Sequence, residues 1–514
     1  MDGFKLLIDT NIVIGLEDAQ PVQASLAELV RLSSEHGVSL FIDGATYDDI
    51  GRDQNFARRT ITLSKLAKFQ MLRGVPIPPE PVLIVRFGAI NNDNDRSDVR
   101  LLAALDTKAA DFLVTQDNGL HRRADRAGLG SSALTIEEAL EWLRQTFHEK
   151  SVVLPDIAEM KAYQIDIRDA IFESLRTDYS GFDKWFDKCR QQHRDCWVLQ
   201  IGTEIAGLVI RKDEDHSEAG TQHSGPKILK VCTLKVRDVF RGEKFGELLL
   251  KQVLWFAQRN NYDLVYLTVL PKHSFLIDLL NYYGFQQTKT IDGGELVMEK
   301  RLIKGALPTL TENALEFDRI HYPRFHDGNS IRKFCVPIQP NYHRRLFPEI
   351  AFGTELPLFP RKIFGLMLYR GPERKPGNTI RKVYLCRAKT TRLRPGDLLF
   401  FYMSKDPNYA ASQSLTTIGI VEQVVDVTEA DDLIRLTAKR SVFSAEELRG
   451  MNASSNSPIK LIDFLLVGHI EPAIQLKTLL RTDVFVNHPP QSITEMTESR
   501  YLVLRPHLSL GFAF

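Results

Sequence analysis

Residues 5–18 read KLLIDTNIVIGLED, and the carboxylate of Asp9 divides two apolar runs. Charged side chains are kept out of protein cores unless they are paired. An acid that closes an apolar strand must therefore reach a surface or a site. Asp, Thr and Asn also cap helices, so Asp9-Thr10-Asn11 can be read as a helix start. The other reading is the carboxyl end of a parallel strand, where open α/β sheets gather their ligands. The pattern recurs at SLFID (39–43) and FLVTQD (112–117), with amphipathic helical stretches between. This alternation predicts a parallel α/β sheet over residues 1–148.

Two changes of pattern divide the rest of the 514 residues, which length alone splits into roughly three or four domains. From 152 to 302 come a hairpin at WVLQIGTEIAGLVIRK, a long strand at KILKVCTLKVRDVF, a glycine-bearing turn into a helix, LVYLTVLP and a last helix–strand pair. That order predicts an α+β domain with a mixed sheet. Residues 303–514 hold short strands, prolines and basic residues, which predicts a β-barrel with helical decoration. The expected fold class is multidomain α/β: parallel sheet, then mixed α+β sheet, then barrel. The five cysteines are scattered, odd in number and without Cys-x-x-Cys spacing, which argues against a disulfide framework and a structural zinc. With no basic-then-apolar leader and no long apolar run, the expected location is cytoplasmic, with no membrane partner.

In the first segment the acids gather. Asp9 and Asp117 close two strands, Asp48 and Asp49 follow a third within DGATYDDIGRD, and a helix is expected to start near Asp98. In a parallel sheet all of these reach one edge. Carboxylates so placed repel unless cations lie between them, and hard oxygen donors suit Mg²⁺ or Mn²⁺. Such ions lower the pKa of an attacking water. LLIDTNIVI, Asp49-Ile50, SDVRLLAAL and LVTQDNGLHRRA with its Thr115-x-Asp117 resemble a PIN-domain ribonuclease across 1–148. The resemblance implies that Asp9, Asp49, Asp98 and Asp117 are the catalytic acids and hold one or two divalent ions, with Thr115 or Asn11 beside them. That family usually has Glu at the second acidic position, so Asp48 and Asp49 stay open as alternatives. Asp93 and Asp95 compete with Asp98, and an inactive scaffold with capping acids is the plain alternative.

The second segment offers VRDVFRGEKFGELLLKQVLWFA, a strand and short turn before an amphipathic helix. Backbone N–H groups at such a helix start form an anion site. Arg241-Gly242-Glu243-Lys244-Phe245-Gly246 resembles motif A of the GNAT acetyltransferases, and the likeness extends over 152–302. It implies acetyl-CoA as cofactor, with Arg241, Gly242, Lys244, Phe245 and Gly246 around the pyrophosphate and the strand at Leu234 and Val236 along the pantetheine arm. Lys244 stands where the motif has its first glycine. Leu280 stands where the family often has the tyrosine that protonates the coenzyme thiolate, while Tyr282 and Tyr283 fall on other helix faces. With that tyrosine missing, acyl-CoA binding is expected ahead of standard acetyl transfer, and no base is nominated, since Glu204, Asp238 and His273 are as easily solvated surface groups.

From Arg319 to Asp397 there are 17 Lys/Arg against 5 Asp/Glu. Tyr322, Phe325, Phe334, Tyr342, Phe347, Phe364, Tyr369 and Tyr384 are interleaved with them. Clustered cations with aromatic faces suit single-stranded RNA, although long basic side chains also merely cover surfaces. IRKVYLCRAKTTRLRPGDLLFFYMSKD followed by LTTIGIVEQVVDV resembles a PUA-like (ASCH or EVE type) domain, best over 360–430, with Gly396-Asp397 at its turn. Together these resemblances imply a toxin-like or defence-related metal-dependent ribonuclease acting on RNA, tRNA being one candidate, with an acetyl-CoA-binding domain. The alternative is an N-acetyltransferase acting on an RNA-linked or protein substrate, its other domains serving as binding modules. A third reading is a non-enzymatic regulator whose partners are an antitoxin or further copies of the chain.

Overall fold

The computed structural model describes residues 4–14, 20–51, 59, 66, 69–147, 156–201, 204–291, 293–310, 313–351, 380–406, 412–440 and 443–512. The chain forms two compact units, residues 1–150 with 428–457, and residues 151–427 with 458–514.

In the first unit, β1 (Lys5–Ile8), β2 (Ser39–Ile42), β3 (Gln70–Met71), β4 (Phe112–Val114) and β5 (Ala133–Leu134) form one sheet in the order β3-β2-β1-β4-β5. Every pairing in it is parallel. Leu6, Leu7, Ile8, Phe112, Leu113 and Val114 are all buried, as continuous apolar runs in a sheet covered on both faces should be. Helices α1 (Gly44–Gly51), α2 (Asp93–Asp106), α3 (Asn118–Arg126) and α4 (Ile136–Phe147) accompany it. The inserted helices Ala430–Thr437 and Ala445–Gly450 belong to this unit. Arg435 pairs with Asp111, Lys108 with Asp432 at 2.9 Å and Lys439 with Glu138 at 3.4 Å. The Arg449 guanidinium lies 5.7 Å from the Phe4 ring centre.

The second unit holds two sheets. The first comprises β6 (Asp156–Lys161), β7 (Asp195–Ile201), β8 (Glu204–Glu214), β9 (Ile228–Val236), β10 (Leu264–Val269), β11 (Gln286–Thr290) and β12 (Leu296–Arg301), in the order β11-β12-β10-β9-β8-β7-β6. Only β9 and β10 pair in parallel. Helices α5 (Glu173–Asp178) and α6 (Phe182–Gln191) cover one face over a core of Phe172, Phe186, Leu208 and Ile210. Helix α7 (Phe245–Arg259) covers the other with Trp197, Val209, Leu229 and Val265, and α8 (Ser274–Tyr282) follows β10.

Helix α9 (Ala314–His321) precedes the second sheet: β13 (Lys333–Ile338), β14 (Arg381–Cys386), β15 (Leu398–Met403), β16 (Ser414–Val427), β17 (Ile459–Gln475) and β18 (Thr494–Met496), ordered β14-β17-β16-β15-β13-β18. Its described strands end at β14 and β18 without closing, so the expected barrel is seen only as a six-stranded mixed sheet. The two sheets share one apolar core that includes Leu254, Tyr283, Tyr322, Phe400 and Tyr501. The Trp255 indole donates to Tyr322 Oη at 2.9 Å, and that hydroxyl donates to the Leu466 carbonyl at 2.7 Å. Gly284 is required at this junction: its φ is +79°, and a Cβ there would lie 2.3 Å from the Ile320 oxygen. Among the described residues no helix is long and apolar enough to cross a membrane.

Candidate active site

Strand β9 pairs with β10 only at Ile228, Leu229 and Lys230, although both strands continue. The cause is one extra residue in β9. Against β8, Val231 faces Arg211 and Thr233 faces Ile210, which leaves Cys232 as a bulge. A bulge kinks its strand and terminates pairing. Beyond it Leu234 and Val236 keep their β8 partners, while the edge toward β10 has no strand partner among the described residues. An extended ligand can line such an edge.

The chain leaves β9 through a 3-10 turn, Asp238–Phe240, and enters α7. Gly242 has φ +88° and Lys244 has φ 60°, ψ 17°. Lys244 therefore stands in the left-handed region that explains the motif's glycine, and a residue with a Cβ costs about 1 kcal/mol there. It is the N-cap of α7, and its side chain makes no capping bond. The first-turn N–H groups thus keep their capacity for an anion. Phe245 anchors the turn in the core. A Cβ on Gly246 would meet only Val236 Cγ2, at 3.9 Å, so the glycine leaves open room where the helix begins. Arg241 and Lys235 both reach Asp238, at 2.8 and 3.0 Å. A helix start without an N-cap side-chain bond, open room and nearby cations fit a pyrophosphate, and the open edge of β9 fits an extended arm.

The base candidates are now distinguished by their partners. Glu204 pairs with Arg237 at 3.2 Å, and Asp238 is taken up by the two cations above. His273 Nε2 lies 3.4 Å from Asp178, which Lys272 also contacts. Burial holds the His273 pKa below its ordinary value, with Asp178 opposing. Leu280 is buried in the core. Tyr282 bonds Glu422, and Tyr283 lies buried with its hydroxyl 3.5 Å from Glu247. Burial pushes both phenols up, so neither is a ready acid. Tyr179, Thr268 and Glu295 were not singled out by any sequence motif. The Tyr179 hydroxyl donates to Glu295 Oε1 at 3.2 Å, and that of Thr268 to the same oxygen at 3.3 Å. The one available signal was Thr268, a polar residue in the apolar run LVYLTV.

In the first unit, the pairing of Ile8 with Val114 sets Asp9 beside Thr115. Thr115 Oγ1 donates to Asp9 Oδ2 at 2.6 Å and receives the Asn11 amide at 3.1 Å. Helix α2 begins at Asp93, so Asp98 lies in its second turn and not its first. Asn92 caps that helix by accepting from the Asp95 N–H. Asp95 pairs with Arg123 at 2.6 Å and Asp93 with Arg96 at 3.3 Å. The Asp98 pKa is pushed up to about 7, first by burial and then by the charges of Asp9 and Asp117, with Arg123 opposing. Asp117 also caps α3 by accepting from the Leu120 N–H at 2.9 Å. Asp48 and Asp49 lie on α1, and their side chains fall outside the described residues. Among the described residues no group of three His, Cys, Asp or Glu side chains gathers closely enough to hold a metal ion.

Many cations of the basic stretch are committed to the fold. Arg319 and Arg381 each reach Glu422 at 2.7 Å, with Tyr282 between them. Arg332 pairs with Asp397 at 2.8 Å, and buried Lys333 with Glu498 at 2.6 Å. Tyr322, Phe325, Phe334 and Phe347 are buried. Phe364 and Tyr369 lie outside the described residues.

Residues 159–285 match the acetyltransferase (GNAT) family, so the chain carries a domain of that kind. Among curated proteins none matches. Of solved structures, an ASCH protein from Zymomonas mobilis is 14% identical, covering 34% of this chain and 96% of its own, with a TM-score of 0.23. A GNAT family acetyltransferase from Elizabethkingia anophelis with acetyl-CoA bound is 15% identical over 28% of this chain and 98% of its own, TM-score 0.22. An N-acetyltransferase from Staphylococcus aureus Mu50 is 15% identical over 29% and 98%, TM-score 0.23. Scores that low do not bear on the site.

Proposed function

We propose that the protein is an acetyl-CoA-dependent N-acyltransferase whose coenzyme lies between the diverging strands β9 and β10. One observation carries this reading: the bulge at Cys232 opens β9 beside an α7 start whose N-cap side chain makes no capping bond. Bound acetyl-CoA would supply an activated acyl carbonyl. The first turn of α7, with Arg241, Gly242, Lys244 and Gly246, would hold the pyrophosphate. The edge of β9 from Leu234 to Val236 would align the pantetheine arm, and Phe245 would fix the turn to the core. An acceptor amine would form the C–N bond as the C–S bond breaks, its nitrogen giving a proton to the departing sulfur. The reading is tested by calorimetric titration of acetyl-CoA into wild-type protein and Arg241→Glu/Lys244→Glu, with release of free thiol followed in parallel. Binding that the double variant weakens by about tenfold or more supports it, since two charge-assisted contacts are lost. No binding to wild-type protein overturns it.

A second reading, the PIN-like metal-dependent ribonuclease, is supported by Asp98, whose proton is held by burial and by the fields of Asp9 and Asp117. The described acids do not by themselves close a ligand set for Mg²⁺ or Mn²⁺. RNA, tRNA included, incubated with Mn²⁺ and wild-type or Asp98→Asn protein tests it. Cleavage that the variant loses supports the reading, and intact RNA with both proteins removes it. The PUA-like segment would then present RNA to either site.

A further inference from the structure

From the opened strand pair we infer that the acyl acceptor is an alkyl amine that arrives as its ammonium ion, docks on Glu295 and gives one proton to solvent before its neutral nitrogen attacks, an inference that rests on the acyltransferase reading. Side chains alternate along a strand. Val265, Leu267 and Val269 of β10 face the core under α7, so Thr268 faces the opposite side, which α5 and α6 approach. Tyr179, directly after α5, and Glu295, directly before β12, meet Thr268 there. These residues border the free stretch of β10, beyond the point where β9 parts from it. An acceptor entering on this face approaches the opened strands from the side that α7 does not occupy.

The carboxylates around this sheet differ in their partners. Asp178 is held by Lys272 and His273. Glu214 has Tyr266, Lys212 and Lys230. Glu299 has Thr288, His223 and the Gln222 N–H. Glu295 is met only by hydroxyls, as exposed Asp213 is by that of Tyr262, but Glu295 is partly buried and two hydroxyls donate to its Oε1. Among the described residues no cation pairs with it and Oε2 accepts no hydrogen bond. Burial, and after it the Glu295 charge, push the Tyr179 phenol up, which keeps that hydroxyl a donor. Tyr179 is thus a positioning residue that, with Thr268, holds Oε1 and leaves Oε2 for a ligand, and a half-buried carboxylate without a counter-ion favours a cationic ligand.

Steady-state acetylation decides the matter. Spermidine and Nα-acetyl-lysine amide are the ammonium acceptors, aniline is the neutral one, and Glu295→Gln, Glu295→Asp and Tyr179→Phe are compared with wild-type protein. Glu295→Gln should raise KM for the ammonium acceptors about tenfold or more. It should leave KM for aniline and the Kd for acetyl-CoA unchanged. Glu295→Asp should recover part of the loss, and Tyr179→Phe should raise KM less than Glu295→Gln does. The two ammonium arms tell a free polyamine from a lysine side chain. An unchanged KM in Glu295→Gln, an equal loss with aniline, or no turnover of any ammonium acceptor while acetyl-CoA binds would overturn the inference. Failure of wild-type protein to bind acetyl-CoA would overturn the transferase reading and this inference with it.

Discussion

The acid pocket beside β1 and β4 and the cleft between β9 and β10 both arise where strand pairing ends, yet different parts of the chain hold them. In the pocket, parallel register brings Asp9 and Thr115 together, and Asp98 and Asp117 add their charges through space. In the cleft, one extra residue at Cys232 frees a backbone edge, and the walls are apolar. A site made of side chains accumulates electrostatic strain and is erased by a single substitution. A site made of backbone tolerates substitution but depends on the packing that keeps its strands apart. Each region should therefore fail in its own way.

The largest expected effect tests whether the two fail separately. Replacing residues 428–457 by a short glycine–serine turn removes the partner of Asp111, a pair with both side chains about 15% exposed. Breaking such a pair costs roughly 3–5 kcal/mol. The first unit should then melt roughly 6–20 °C lower, while acetyl-CoA still binds the second. Unchanged melting of the first unit in calorimetry would show that the insert does not support it. Next in size, Gly284→Ala should cost the second unit roughly 3 kcal/mol by urea denaturation, from its positive φ and the overlap with Ile320. A neutral result would mean that the junction can relax.

Acid and base sharpen the contrast, because the two units should respond with opposite sign. Fully buried Lys300 donates to the carbonyls of Tyr283 and Ile320, and burial pushes its pKa down to about 7. The unfolded side chain keeps its proton to about 10.4. The unfolded state therefore binds more protons in between, and the second unit gains roughly 2 kcal/mol from pH 7 to 9. Asp98 does the reverse. The folded form keeps its proton to about 7, the unfolded one loses it near 3.9. In EDTA the first unit should thus lose roughly 1–2 kcal/mol as pH rises from 4 to 7, after allowance for solvent screening. Hydrogen exchange on β4 and β12 reads the two separately, and Asp98→Asn and Lys300→Met should flatten their respective slopes. The smallest effect is that of Lys244→Gly. It should stabilise the second unit by about 0.5–1 kcal/mol by relieving the left-handed backbone, while weakening acetyl-CoA.

What could be read from the sequence follows the same division. Apolar runs closing on Asp9 and Asp117 foretold two strand ends, because period and polarity are local properties. The start of α2 was misjudged by five residues, since Asn92 rather than Asp98 does the capping. The loop Arg241–Gly246 was legible as a turn into a helix, whereas the bulge at Cys232 was not, because it exists only relative to β8. Tyr179, Thr268 and Glu295 lie far apart along the chain, and nothing short of the β10–β12 register unites them. The basic, aromatic stretch was read as an RNA surface, yet many of its described side chains stabilise the second unit from within. Composition counts charges without saying whose partners they are.

The excursion between β16 and β17 has a consequence for how the protein is born. The ribosome releases the first 150 residues early, but the helices that complete their unit emerge only after about 300 more. At synthesis rates of roughly 5–20 residues per second, the nascent unit waits on the order of 15–60 s for its last pieces. During that interval Asp111 and the Phe4 ring lack the arginines that later cover them. Maturation of the first unit is thus tied to synthesis of the chain through residue 457, and a chain that stops before residue 428 would be a fragment suited to chaperones and proteases rather than to work.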